Sequence, residues 1–362
     1  MDRVITWIFL GFGMLAALDR IFGNRLGLGK EFEKGMMMLG TLTLSMTGML
    51  TIAPLISEGL SILSESIPLF FDFSILPASL LANDMGGAHL AAQLASDAQV
   101  GVFNGLVVSS MMGCTVSFTL PFVLQATDDP IRKDVFFGLL CGIVTIPVGC
   151  LIAGLLAGFS ILDLLCNLLP LLLLAALISL CLLKFERITI RVFSCIGVGI
   201  KAIVTVGLVV ALVEYLTGVA LLPVMSPLDE TMGIIVNIAC VMVGAFPCLC
   251  LLRKTLRRPL MAFASRFGIN DASAFGFLST LGTSVTTFEN MKDMDRKGIV
   301  LNSAFAVSAS FALIDHLAFT MSYHAAYVPY VLVGKLVSGT SALVLAFLLC
   351  KKRMKNEGVT EG

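Results

Sequence analysis

Two short stretches carry the side chains best placed to do chemistry. Leu80-Leu81-Ala82-Asn83-Asp84-Met85-Gly86-Gly87 sets an amide and a carboxylate beside two glycines, within an otherwise apolar run. Phe311-Ala312-Leu313-Ile314-Asp315-His316-Leu317 sets a carboxylate and an imidazole well along a second apolar run. Ionisable groups in such surroundings are costly and are functional candidates by default. A carboxylate there holds a cation, relays a proton or, as the plain alternative for Asp84, caps hairpin amides. The plain alternative for His316 is a hydrogen-bonded core histidine. Thr283, Ser284 and Asn302 add two hydroxyls and an amide that can bond a polar solute. Gly86, Gly87 and Gly282 let the backbone turn tightly next to these groups.

The remaining polar residues divide less cleanly. Asn104 and Asn302 serve equally well as glue between helices or as solute contacts. Lys201 lies about ten residues into its apolar run, roughly 15 Å at the helical rise. It either pairs with a buried carboxylate or snorkels to the headgroups. Lys335 is read as a structural ion pair near an outer end, His89 and His324 as water-facing, and Asp271 and Glu289 as caps. The ten cysteines lie mostly in apolar runs without metal-ligand spacing, and the eighteen methionines read as adaptable packing. No Walker sequence, HExxH pair or serine elbow is present. ATP-driven transport and familiar hydrolytic chemistry therefore find no support, and no cofactor or metal is expected.

The elements that position these groups follow from composition. Fifty-seven per cent of the 362 residues are hydrophobic and 13% charged, against roughly 45–50% and about 25% in soluble chains. Mean hydropathy is +0.98, and a soluble globule of this length cannot hide so much apolar surface. An all-α polytopic transmembrane protein is expected. Its 24 basic and 24 acidic residues cancel, which leaves a nucleic-acid partner without electrostatic support. A spanning helix needs about 20 mostly apolar residues. Stretches 4–20, 36–57, 102–125, 135–158, 162–183, 192–214, 232–252, 300–321 and 328–350 qualify, giving about nine spans. Val4 to Leu18 lacks a basic leader and reads as a retained span. Two shorter stretches, about 74–92 and 270–288, are broken by polar residues and glycines.

Lys and Arg mark cytoplasmic segments. They place 20–34, 184–191, 253–266 and the tail from Lys351-Lys352-Arg353 inside; 58–73 and 215–231 hold acids without Lys or Arg and are placed outside. Trp7, Tyr215, Tyr323, Tyr327 and Tyr330 then fall at outer ends as aromatic anchors. Counting spans back from the tail makes each broken stretch start and finish on one side. Both are therefore expected to be re-entrant hairpins, 74–92 entering from outside and 270–288 from the cytoplasm. Asp97 with Asn104 and Asp295 with Asn302 recur at the same spacing, offset by 198 residues (302 − 104). The order span, span, hairpin, span, span also recurs with opposite orientation. This divides the chain into repeat 1 (1–160), a linker helix (161–185), repeat 2 (186–350) and a basic cytoplasmic tail (351–362). Inverted repeats whose broken segments meet near the midplane characterise secondary transporters.

Several motifs together resemble the ethanolamine permease family of the ethanolamine-utilisation pathway. They are Asn83-Asp84-Met85-Gly86-Gly87, Ser110-Met111-Met112-Gly113, Gly142-Ile143-Val144-Thr145-Ile146-Pro147-Val148-Gly149-Cys150, Asn302-Ser303-Ala304-Phe305-Ala306-Val307-Ser308-Ala309, Asp315-His316-Leu317 and Val333-Gly334-Lys335-Leu336. The similarity runs from Asp19-Arg20 onward. It implies a multi-pass protein of the bacterial cytoplasmic membrane that imports ethanolamine for ammonia-lyase catabolism. Two positions depart from the family pattern. Asn83 stands where Cys is common, and Gly282-Thr283-Ser284 replaces an Asn-rich turn, which leaves room for a modified substrate preference.

The chemistry of the residues suits such a solute. A small primary amine near neutral pH is mostly an ammonium ion and needs a carboxylate or aromatic partner when it leaves water. Asp84 and Asp315 are the expected partners, with His316 beside them. Asn83, Thr283, Ser284 and Asn302 are the expected hydrogen-bonding groups for the alcohol end. A cation or proton antiporter using the same carboxylates is the alternative, and a membrane-embedded enzyme a remote one. The reading leaves room for a homo-oligomer in the bilayer.

Overall fold

A backbone in lipid must satisfy its own hydrogen bonds, so apolar runs of this length fold as helices. The computed structural model describes residues 2–66, 70–127 and 129–356, and no strand occurs among them. The first helices are α1 (Asp2–Ile21), α2 (Leu28–Leu42) and α3 (Gly48–Ser66), followed by the first broken stretch, α4 (Ile75–Leu80) and α5 (Gly87–Leu94). Next come α6 (Ala98–Phe103), α7 (Leu120–Ala126), α8 (Asp129–Ile143), α9 (Ile146–Leu156), α10 (Ile161–Lys184), α11 (Glu186–Thr217) and α12 (Leu228–Phe267). The second broken stretch is α13 (Asp271–Gly282) and α14 (Ser284–Glu289), and α15 (Arg296–Ala309), α16 (Asp315–His324) and α17 (Val328–Asn356) complete the chain. The protein is an all-α polytopic membrane protein.

Eight helical segments among the described residues are long and apolar enough to cross a bilayer, one fewer than the sequence suggests. The stretch 300–321 is not among them because it is not one unbroken helix. Helix α15 stops at Ala309, residues 310–314 leave the helix, and α16 starts at Asp315. Phe311 adopts a left-handed φ of 62°. Its amide donates to Thr280 O at 3.1 Å, and the Leu313 amide donates to Leu281 O at 2.8 Å. Carbonyls of α13 thus replace the helical partners that the break removes, as irregular backbone at membrane depth requires.

The expected loop 253–266 also differs. Helix α12 runs unbroken for 40 residues through it. At 1.5 Å per residue that is about 60 Å, twice the roughly 30 Å hydrocarbon core, so its charged half projects beyond the apolar layer. Residues 357–362 of the basic tail lie outside the described residues.

Both broken stretches are hairpins whose legs pack on each other across the turn. Their roots are tied alike. Asp72 accepts from the Ser74 amide and hydroxyl and from the Ser96 amide, while Asn104 Nδ2 donates to Ser74 Oγ at 2.9 Å. At the second hairpin, Asp295 accepts from the Asn270 amide, Ser273 Oγ and the Gly298 amide; Asn302 Nδ2 donates to Ser273 O at 2.8 Å. Each hairpin tip then leans on a distorted helix. Residues Asn104–Gly113 and Thr115–Thr119, between α6 and α7, are π-helical, a wider winding that recurs at functional sites. Ser109 Oγ donates to Leu81 O, and the Ala82 amide donates to Ser117 Oγ at 3.1 Å. The second hairpin leans on the 310–314 break instead.

Small residues let the helices approach. A Cβ on Gly48 would lie 1.7 Å from Val204 O, and one on Gly149 2.3 Å from Gly334 O. These contacts seat α3 on α11 and α9 on α17, the way membrane helices pack when no hydrophobic drive separates them from lipid.

Candidate functional site

The first hairpin turns through Asn83–Met85, one 3-10 turn between α4 and α5. Gly86 takes φ 94°, and the Gly87 amide closes the turn on Ala82 O at 2.9 Å. A Cβ on Gly86 would sit 2.3 Å from Met49 Cγ, so the turn presses against α3 as only glycine permits. Asn83 is fully buried, and neither Oδ1 nor Nδ2 has a hydrogen-bond partner. Asp84 beside it is half-buried.

This turn packs against the start of α16. Asp84 and Asp315 come within electrostatic reach of one another. Asp315 opens its helix, where the N-terminal amides favour a carboxylate. His316, the next residue, is buried, with Nδ1 3.0 Å from Lys335 Nζ. Lys335 is 1% exposed, donates to Ser110 O at 2.7 Å and lies within electrostatic reach of Asp84. An ammonium offers only donors, so His316 accepts at Nδ1 and carries its proton on Nε2. Asp84 is thus within electrostatic reach of both Asp315 and Lys335, with Asn83 beside it in the turn and His316 on Lys335.

The second hairpin breaks at Thr283, whose hydroxyl accepts from the Val285 amide at 3.3 Å. Gly282 fits because a Cβ there would be 2.5 Å from Leu249 Cδ2. Ser284 is fully buried with an unpartnered Oγ. Gly282, Thr283 and Ile314 line a cavity of about 210 Å³ next to Asp315. Asn302 stands apart from the carboxylates. Its amide nitrogen is committed to Ser273 O and Gly298 O at the root of the hairpin, with Oδ1 buried and unpartnered.

Three positions read differently in the structure than in the sequence. Lys335 was placed near an outer end as half of an ion pair, yet it sits at the centre on a carbonyl and an imidazole. The available signal is Gly334 beside it, a small residue in an apolar run that allows α17 to close on α9. His89 was placed in water. It packs edge-on against Tyr323 at 4.9 Å and Phe319 at 6.2 Å, with Nδ1 buried and unpartnered, because α5 is an inner leg of the hairpin. Phe319 and Tyr323 stack at 5.5 Å. Asp315, Phe319 and Tyr323 recur every fourth residue and so share one side of α16, the rings about 6 and 12 Å along its axis from Asp315. Lys201 is exposed and lines a cavity of about 570 Å³ with Ser117 and Met85, beside the first hairpin.

Fold and geometry define a class: a multi-pass helical membrane protein whose broken helices hold unpaired polar groups and carboxylates at a buried centre. The chain belongs to the family of the ethanolamine utilisation protein EutH, whose model matches residues 1–349. It is similar to the probable ethanolamine permease EutH of Listeria monocytogenes serotype 1/2a (strain 10403S), with 39% identity over 363 residues, covering 100% of this chain and 97% of that relative. The protein of the same name in Escherichia coli (strain K12) is 34% identical over 403 residues, covering 100% of this chain and 98% of the relative. The uncharacterized protein YxeR of Bacillus subtilis (strain 168) is 33% identical over 351 residues, covering 96% and 94%. No solved structure matches the chain.

Proposed function

We propose that this protein is a permease that carries ethanolamine across the bacterial cytoplasmic membrane, with its ammonium group held between Asp84 and Asp315. The observation that carries the reading is Asn83, whose amide is sealed from water with both polar atoms unpartnered beside Asp84. Each such atom costs about 1–3 kcal/mol when left unpaired, and native interiors rarely leave them so. A solute with a hydroxyl two carbons from an ammonium satisfies the amide and the carboxylate together. Ser284 and Thr283 serve the alcohol end from the second hairpin, His316 fixes Lys335, and Asn302 positions the hairpin.

The mechanism proposed is alternating access between inverted repeats, 1–160 and 186–350, joined by 161–185, with the C-terminus cytoplasmic. In each half the repeat-related asparagine, Asn104 or Asn302, bonds a serine at the start of the hairpin, which supports this division. The His89, Phe319 and Tyr323 rings cover the centre on the proposed outer side. The nearness of the two carboxylates favours a second reading, proton or cation antiport, which proteoliposomes would reveal as substrate-free proton flux. Uptake of labelled ethanolamine by Asp84→Asn and Asp315→Asn variants tests the first reading. Each is expected to lose at least about tenfold, or roughly 1.4 kcal/mol of binding. Wild-type uptake in both, at equal expression, removes the carboxylates from the mechanism.

A further inference from the structure

The cavity of about 210 Å³ beside the second hairpin has the wrong sign for an ammonium solute. Lys34 of α2 and Arg253 and Lys254 of α12 face it, against one acid, Glu31. Lys254 is partly engaged, since its Nζ donates to Leu26 O at 2.7 Å. Arg253 is not. Its Nε is buried without a hydrogen-bond partner, and its Nη2 lies 3.8 Å from where a Cβ on Gly282 would be, so the guanidinium reaches the hairpin break. Lys34 lies 4.6 Å from the Phe246 ring centroid and within electrostatic reach of Asp315. The Thr283 and Thr286 residues complete the wall.

A buried guanidinium nitrogen without an acceptor is as costly as any orphaned donor. The guanidinium fork and a neighbouring ammonium match an oxyanion in both charge and geometry. We propose that this cavity binds a phosphate-class oxyanion, held by Arg253 and Lys34, and that its occupancy ties the second hairpin to α12. The binding does not depend on ethanolamine being the solute; only its effect on transport rests on that reading.

Thermal unfolding of the purified full chain in lipid-free detergent tests it, with inorganic phosphate compared with chloride at matched ionic strength. A ligand at about 100 times its Kd contributes about 2.7 kcal/mol to the folded state. Phosphate is therefore expected to raise Tm by several degrees in wild type and by little in Arg253→Gln. Lys34→Gln, an exposed position on another helix, is expected to show a reduced shift and carries the test if Arg253→Gln does not fold. A second arm replaces phosphate with phosphatidylglycerol in mixed micelles. A shift in that arm alone identifies a lipid phosphate as the source of the same chemistry. No shift in wild type in either arm, or equal shifts in wild type and both variants, overturns the proposal. Absence of ethanolamine uptake by the wild type alongside an Arg253-dependent phosphate shift would sink the transport reading and leave this one standing.

Discussion

Lys335 stabilises the centre through a carbonyl and an imidazole instead of a carboxylate. Replacing it with Met removes the ammonium that both the Ser110 carbonyl and His316 Nδ1 accept from. Lys335→Met is therefore expected to lower stability by about 1–3 kcal/mol, measured by thermal unfolding in detergent. An unchanged Tm would mean that water replaces the ammonium. Asp84, Asn83, Asp315 and His316 stand out in the sequence because polar types inside apolar runs are visible by residue alone. Lys335 was also visible, but its position along the helix suggested the boundary. Its true neighbours come from Ser110, 225 residues away, and no local pattern encodes them. The same holds for His89, whose burial depends on which face of α5 turns toward α16.

Among the elements, the hairpins were readable and the breaks they lean on were not. Asn83, Asp84, Gly86 and Gly87 announce a turn by type, and so do Gly282 and Thr283. Ser310-Phe311-Ala312-Leu313-Ile314 carries no such signal, because its stabilising acceptors are the Thr280 and Leu281 carbonyls of another segment. The π-helical winding after Asn104 likewise meets the hairpin through a non-local contact, Ser109 Oγ to Leu81 O. Gly86→Ala is expected to destabilise the protein by about 1–3 kcal/mol, through overpacking against Met49 and a left-handed backbone that L residues resist. Thermal unfolding checks this, and a shift of under a degree would contradict it. The ring cover makes a separate prediction. Phe319→Leu keeps an apolar side chain but removes the aromatic ring one helical turn beyond Asp315. Uptake is expected to fall several-fold, with the change in KM, at about 0.5–2 kcal/mol for a lost cation–π contact. An unchanged KM would make the ring a mere filler.

For the whole molecule, class and architecture were carried by composition and by the length of apolar runs, which depend on no particular contact. What the apolar runs did not reveal is the break at 310–314 inside the stretch 300–321. Sidedness rests on the Lys and Arg distribution. Alkaline phosphatase fused after residue 222 is expected to be active, and fused after residue 24 or at the C-terminus inactive; the reverse pattern would invert the proposed orientation. The central claim is that a buried centre made of Asn83, Asp84 and Asp315 binds the solute's ammonium. Equilibrium binding of labelled ethanolamine to purified wild-type, Asp84→Asn and Asp315→Asn protein measures this without transport. Saturable binding in wild type, weakened at least about tenfold in each variant (roughly 1.4 kcal/mol), is the result expected; equal affinity in all three would contradict the account.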